Sequence, residues 1–317
     1  MENYFINKNI LTINRWRNSN YVLDADIYRD FFKVDTINFD YYSNKLPIKL
    51  PNNIKRVIFY CDVKYDLSKY LPDFIEEIEL NNDANCRISN LPNTVKKITF
   101  GFNYNQILDD LPDSIEELYT GMKFNKSVIK YPSSLKILSF GHHFNQIINN
   151  LPNLLVHLNL GNDFNQLIDN LPDSLIYLEL GYYFNQPINN LPKSLKHLHF
   201  GHNFNQSINK LPNSLEYLKF GHNFNQPINN LPNSLKTLIF GYSFNKFIDK
   251  YPESIEYIIF GVNYNKPIYN IPKNIKIDLP PNYVIPSKFN TFFRKIYNKF
   301  NNYFNIFYVI YFSIILF

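Results

Sequence analysis

The sequence predicts a β-rich solenoid, a right-handed coil of 20-residue repeats whose strands form one long parallel sheet. Three observations predict it: an unbroken period of 20 from Leu71 to Asn270, a proline at the second position of all ten copies, and a glycine at the eleventh position of nine. A single repeat of this length cannot bury its apolar face, so each coil must be covered by its neighbours. With 317 residues, 45% of them hydrophobic, the chain has the apolar content that such a core requires.

The proline column marks the place where each coil begins. It runs from Pro72 to Pro252, and Pro272 continues it into a half copy that ends at Ile277. Proline fixes φ and has no amide donor, so it does not occur inside a helix or a central strand. We therefore expect a bend at this column. An irregular coil of 21 residues, Leu50 to Tyr70, precedes the ten regular copies.

The glycine column contains every glycine of the protein, from Gly101 to Gly261. A residue type confined to one column indicates either a positive φ or a very close approach of two backbones. Asn81 takes the same position in the first copy. Because asparagine is the residue that next tolerates left-handed geometry, both explanations remain open for this column.

Apolar residues occupy positions five, eight and ten of each copy, as at Leu175, Leu178 and Leu180. Positions eight and ten alternate with outward residues, which is typical of a short half-buried strand. An aromatic residue such as Phe184 and an aliphatic residue such as Ile188 follow the glycine. A helix of normal length does not fit between these prolines and glycines. Each coil is therefore a strand plus turns, and the strands stack in parallel about 4.8 Å apart.

The fifteenth position is asparagine in all ten copies, beginning at Asn85. A side-chain amide at the same place in every coil can bond backbone groups that bend away from the strand ladder. We therefore predict a structural ladder rather than a row of binding amides. Beyond Asn85, its members are Asn105, Asn125, Asn145, Asn165, Asn185, Asn205, Asn225, Asn245 and Asn265.

The segments Phe184–Ile188, Phe224–Ile228 and Tyr264–Ile268 read FNQPI, FNQPI and YNKPI, and they resemble the core of the FNIP repeat. That family is similar to leucine-rich repeats and is typical of amoebae and of the large viruses that infect them. The resemblance covers Leu50 to Ile277. It implies a leucine-rich-repeat-like solenoid that binds a protein partner, here one of a host cell, with no enzyme activity or cofactor. Many members also carry an F-box, which would make the chain a substrate adaptor of a ubiquitin ligase. Residues 1–49 lack that pattern.

The repeats divide the chain into three parts: an N-terminal capping region at 1–49, the solenoid at 50–277 and a C-terminal part at 278–317. The C-terminal part is first basic and then apolar, with residues 306–317 almost wholly apolar. This run is shorter than the roughly 20 residues of a spanning helix. We favour a cap folded over the last coil. The alternative is a membrane tether formed by the apolar residues, with basic residues before it.

A partner would meet the outward positions that vary between copies. Aromatic and amphipathic side chains at these positions suit an interface, because they bury large areas and keep a polar group. The alternative is that Tyr and His populate an exposed strand because of their β-propensity. The candidate partner-binding residues are Tyr177, His197, His199, Tyr217, Tyr182, His202, His222 and Tyr242.

Other classes of function find little support in the residues. The sequence has no phosphate-cradling glycine loop and no motif of a serine hydrolase or zinc protease, so we predict no enzyme and no cofactor. The His197–His199 and His202–His222 spacings could hold zinc, but no cysteine or carboxylate completes a set, and we predict no metal site. A net charge of +5, with acids and bases intermixed, does not indicate nucleic-acid binding. Two cysteines, Cys61 and Cys86, give no disulfide framework and favour an intracellular, reducing compartment.

Overall fold

The structure is a computed structural model of the chain. It describes residues 4–13, 29–39, 49–60, 67–81, 84–85, 87–208, 210–272 and 275–284. Most of the C-terminal cap or tail predicted for 278–317 lies outside these ranges, including the apolar residues 306–317, and so do both cysteines. In the part of the chain that is described, no helix has the length and apolarity of a membrane span.

The described residues include one sheet of short strands, one short 3-10 helix, Leu67–Lys69, and helical residues at 29–31. The strands are β1 Tyr4–Asn7, β2 Ile10–Ile13, β3 Thr36–Phe39, β4 Arg56–Phe59, β5 Glu77–Leu80, β6 Lys97–Thr99, β7 Glu117–Tyr119, β8 Ile137–Ser139, β9 His157–Asn159, β10 Tyr177–Glu179, β11 His197–His199, β12 Tyr217–Lys219, β13 Thr237–Ile239, β14 Tyr257–Ile259 and β15 Lys276–Asp278.

The strands lie in the sheet in the order in which they occur in the chain. Strands β1 and β2 pair in antiparallel fashion, and every later pair is parallel. The register follows the repeat, since Tyr177 pairs with His197 and His197 with Tyr217. The predicted parallel solenoid with a 20-residue spacing is therefore confirmed.

The sheet also extends through the region predicted to be the N-terminal cap. Thr36 of β3 pairs with Arg56 of β4, already at a spacing of 20, and Arg56 pairs with Glu77 across the irregular coil of 21 residues. Residue 49 is therefore not a border of the sheet. At the other end Tyr257 pairs with Lys276, so the last half copy is one residue short of the regular spacing.

The core consists of columns of identical positions stacked from coil to coil. Leu175, Leu178 and Leu180 are buried, as positions five, eight and ten predict. The aromatic column at position fourteen is buried as well, and its rings stack with centroids 5.9–6.3 Å apart between successive coils from Phe124 to Tyr264. Burial of one such side chain contributes about 1.5–3 kcal/mol, and the repetition of this term along the solenoid supplies the core that a single coil lacks.

The proline column forms the expected bend. The carbonyl oxygen of Pro192 accepts a hydrogen bond from the Leu195 amide at 3.2 Å, which closes a turn over two residues. The hydroxyl of Ser194 in this turn donates to the carbonyl oxygen of Leu175 in the preceding coil at 2.7 Å. This second ladder was not predicted, although its serine column is visible in the sequence: Ser114, Ser174, Ser194, Ser214, Ser234 and Ser254.

The glycine column is explained by close approach of neighbouring backbones. A Cβ atom on Gly201 would overlap the carbonyl group of Gly181 in the preceding coil. Positive φ accounts for only one glycine, Gly161, with φ of 70°. Asn81 has no positive φ either, so left-handed geometry does not account for this position. The left-handed asparagines lie instead at position twenty in some copies: Asn90, Asn150 and Asn270.

Candidate functional site

The asparagines of position fifteen form a ladder of hydrogen bonds between coils. The backbone amide of each one donates to the side-chain oxygen of the asparagine twenty residues earlier, at 2.8–3.1 Å from Asn105 to Asn265. Gln206 adds a bond to the side-chain oxygen of Asn185 at 3.2 Å. The ladder asparagines are half-buried or, at Asn85, Asn125 and Asn265, exposed. Their side-chain oxygens hold backbone amides in place, which leaves the variable outward columns as the candidate site.

Four of the candidate partner-binding residues lie together on the outward side of strands β10 to β12. We name Tyr177, His197, His199 and Tyr217, together with His157 of β9, the strand patch. The ring of Tyr177 stacks on His157 at 4.1 Å and meets the edge of His199 at 5.0 Å. The ring of Tyr217 lies 5.8 Å from His197 and 5.0 Å from His199. His157 was missed, although it stands in the same column one coil before Tyr177.

Partial burial favours the uncharged forms of three side chains of the strand patch, His157, Tyr177 and His199. The hydroxyl of Tyr177 lies 3.1 Å from Nδ1 of His199 and 3.2 Å from a carboxylate oxygen of Glu179. Burial lowers the pKa of His199 to about 4, and the nearby positive charge of Lys219 adds to the effect. Burial also lowers the pKa of His157, and it raises the pKa of Tyr177. Burial therefore favours neutral rings at these three positions of the patch.

The other four candidates form a second feature beyond the glycine column. We name Tyr182, His202, His222 and Tyr242 the ring stack. Successive rings are nearly parallel, with centroids 4.4, 4.5 and 4.7 Å apart. Both tyrosines are exposed, at 41% for Tyr182 and 45% for Tyr242. Nδ1 of His202 lies 2.9 Å from the side-chain oxygen of Asn203, and His222 makes the same contact with Asn223 at 3.0 Å, so the rings are held in place.

A third group of side chains was not predicted to act together. Nδ1 of His143 lies 2.7 Å from one carboxylate oxygen of Asp163, and Nδ1 of His142 lies 3.6 Å from the other. The residues belong to positions twelve and thirteen of one coil and position thirteen of the next. The prediction of no metal site was based on the other histidines. The register of 20, which places His143 beside Asp163, is the signal that could have identified this group.

A family model matches part of the repeats. The model of the FNIP Repeat matches six overlapping windows, at 124–163, 144–183, 164–203, 184–223, 204–243 and 224–251. Residues 124–251 are FNIP repeats. The resemblance inferred from the sequence is thereby confirmed over these residues, which include the strand patch, the ring stack and the His142–His143–Asp163 group. The regular strand register continues on both sides of the matched FNIP segment.

One solved structure supports a leucine-rich-repeat-like fold for this solenoid. A structure described as "CroV588 a novel circular LRR protein structure" is 37% identical, with a TM-score of 0.74 over 79% of this chain. The chain spans only 40% of the length of that protein. YopM from Yersinia enterocolitica WA-314 is 16% identical, with a TM-score of 0.46 over 78% of this chain and 71% of its own. No curated protein matched the chain.

Proposed function

We propose that the chain is a non-enzymatic interaction scaffold that binds a protein partner through the strand patch and the ring stack. The observation that carries the proposal is the run of packed aromatic rings across successive coils, from His157 to Tyr217 on the strands and from Tyr182 to Tyr242 beyond the glycines. A repeat solenoid offers an extended surface of this kind, and its variable outward residues select the ligand.

The packing of these rings favours binding. Ring–ring contacts already restrict the side chains of Tyr177, His199 and Tyr217, so binding orders them at little further cost in conformational entropy. Tyrosine and histidine also bury a large apolar area while they keep a hydrogen-bonding group. Because His199 is neutral at pH 7, a partner can cover it without burying an unpaired charge.

The charges beside the strands support a protein rather than a nucleic acid as the partner. Position six carries charges of alternating sign except at Val156 and Ile176. In this column Glu216 accepts bonds from both Lys196, at 3.0 Å, and Lys236, at 2.7 Å. Lys136 pairs with Glu116 in the same column at 2.6 Å. A phosphate backbone binds best to lysines and arginines gathered on one face, and carboxylates between them oppose it.

A matched pair of variants tests the proposal. The double substitution Tyr177→Ala and Tyr217→Ala removes two anchors of the strand patch, and Phe247→Ala removes an aromatic side chain that is 53% exposed in another column. The three full-length chains are used as bait in host-cell lysate, and captured proteins are quantified by mass spectrometry after circular dichroism has verified the fold. We expect the partner to be retained by wild type and Phe247→Ala and lost from the double variant. Equal capture by all three would exclude the patch.

The same experiment addresses the finer parts of the proposal. Capture of a ligase scaffold together with the partner would support the role of a ubiquitin-ligase adaptor, and its absence would count against that role. We further propose an intracellular, reducing location, based on the sparse cysteines of the sequence. A membrane tether at residues 306–317 is tested separately, since its deletion would release the protein from the membrane fraction.

A further inference from the structure

We propose that His142, His143 and Asp163 form a binding site for a divalent transition metal of the zinc class. The two histidines offer Nδ1 atoms and the aspartate offers a carboxylate, and one ligand atom from each lies within 4.8 Å of the others. Two imidazoles and one carboxylate are a ligand set that zinc and its neighbours accept, and the set leaves a coordination position for water or for an atom of a partner.

An unsatisfied buried atom points to a ligand at this place. Nδ1 of His142 is buried and has no hydrogen-bond partner, because the nearest oxygen of Asp163 is 3.6 Å away. A buried polar atom without a partner is costly, so it requires an explanation such as an ion. A metal between His142 and Asp163 would satisfy it. The rest of the site is accessible, with 49% of the His143 side chain exposed, so an ion can enter.

The backbone holds the three ligands in position. The amide of Asp163 donates to the carbonyl oxygen of His142 at 2.8 Å, and the amide of His143 donates to Met122 at 2.9 Å. These bonds fix neighbouring coils in register before any ion binds.

The ammonium group of Lys123, which shares the column of His143, lies 5.5 Å from the ring centroid of Phe102 in the coil before it. The lysine charge is thus directed toward that ring.

Metal binding requires a small rearrangement whose chemistry is defined. Ligand atoms about 2.1 Å from a tetrahedral zinc ion lie roughly 3.4 Å apart. The 2.7 Å contact between Nδ1 of His143 and Asp163 must therefore open. A neutral His143 must carry its proton on Nε2, so that the lone pair of Nδ1 faces the metal. Protons and metal compete for the same nitrogen atoms, and binding weakens at low pH.

Calorimetric titration of the full chain with zinc chloride tests the site, using His143→Ala, Asp163→Asn and the control His222→Ala. The control removes a histidine that stacks on other rings, at 4.5 Å from His202. We expect one zinc ion per chain for wild type and His222→Ala, loss of this saturable binding in the other two variants, and no binding of calcium. Circular dichroism verifies that all variants are folded.

Two outcomes would overturn the proposal. One is the absence of zinc binding by the wild-type chain. The other is equal binding by all four chains, which would place the metal elsewhere. After titration with cobalt, the absorption spectrum of the protein also reports on the ligands. Bands of a four- or five-coordinate cobalt ion should appear with the wild-type chain and disappear with Asp163→Asn. Because the partner-binding variants leave this group unchanged, failure of the zinc site and failure of the proposed scaffold function are distinguishable.

Discussion

Substitution of Asn185 by alanine tests the role of the asparagine ladder. The side-chain oxygen of Asn185 accepts from the Asn205 amide at 2.9 Å and from Gln206 at 3.2 Å. Gln206 keeps a second acceptor, the backbone oxygen of Asn185 at 3.1 Å, so the principal loss is the partner of the Asn205 amide. An unsatisfied buried amide costs about 1–3 kcal/mol. Because Asn205 is half-buried and water reaches part of it, we expect a loss of about 1–2 kcal/mol.

Urea unfolding followed by far-UV circular dichroism measures this loss. Asn189→Ala is the matched control, since it removes an exposed asparagine from the same coil and should change the free energy of unfolding by less than about 0.5 kcal/mol. Asn185→Asp keeps an acceptor oxygen and should cost less than Asn185→Ala. If Asn185→Ala and Asn189→Ala have the same stability within about 0.5 kcal/mol, the ladder is not a source of stability and the reasoning is wrong.

Three further predictions concern the core, the glycine column and pH. Phe204→Ala should cost about 3–5 kcal/mol in urea unfolding, because the buried ring stacks on Phe200 at 3.8 Å; a smaller loss than about 2 kcal/mol would contradict this. Gly201→Ala should lower the thermal midpoint by forcing the coil away from Gly181, and an unchanged midpoint would refute the close-approach explanation. His199 has a folded pKa of about 4 against 6.5 unfolded, so the unfolded state binds more protons between these values. Stability should fall as pH drops from 6.5 toward 4, and less steeply in His199→Gln.

The columns of the core could be predicted because burial repeats with the sequence. Leu178 and Phe204 stand at fixed positions of the copy, and the apolar preference of each column is visible without a structure. The two explanations of the glycine column could not be separated in the same way. Contact between Gly201 and Gly181 depends on how closely two coils approach, and that distance follows from the packing of all columns together.

The candidate site was predictable only in part, for a related reason. The strand patch follows from reading two outward columns, positions seven and nine, and position seven would also have included His157. Prediction of the contact between His143 and Asp163 would have required a comparison of two coils and of two residue types. An imidazole and a carboxylate occupy the same position of these successive copies. The position of Nδ1 of His142, 3.6 Å from the same carboxylate, depends on side-chain packing and cannot be read from the sequence.

The asparagine ladder joins each coil only to its immediate neighbours, always at the same spacing. If residues 191–210 were deleted as a unit, Asn185 would meet Asn225, and the hydrogen bonds and buried columns would be restored. On the outward face, Tyr177 would instead come to lie beside Tyr217. A gene encoding such a chain can thus gain or lose whole coils with little cost to folding, while each change brings different side chains together on the surface. Copy number then becomes a means of diversifying the outward surface of the protein.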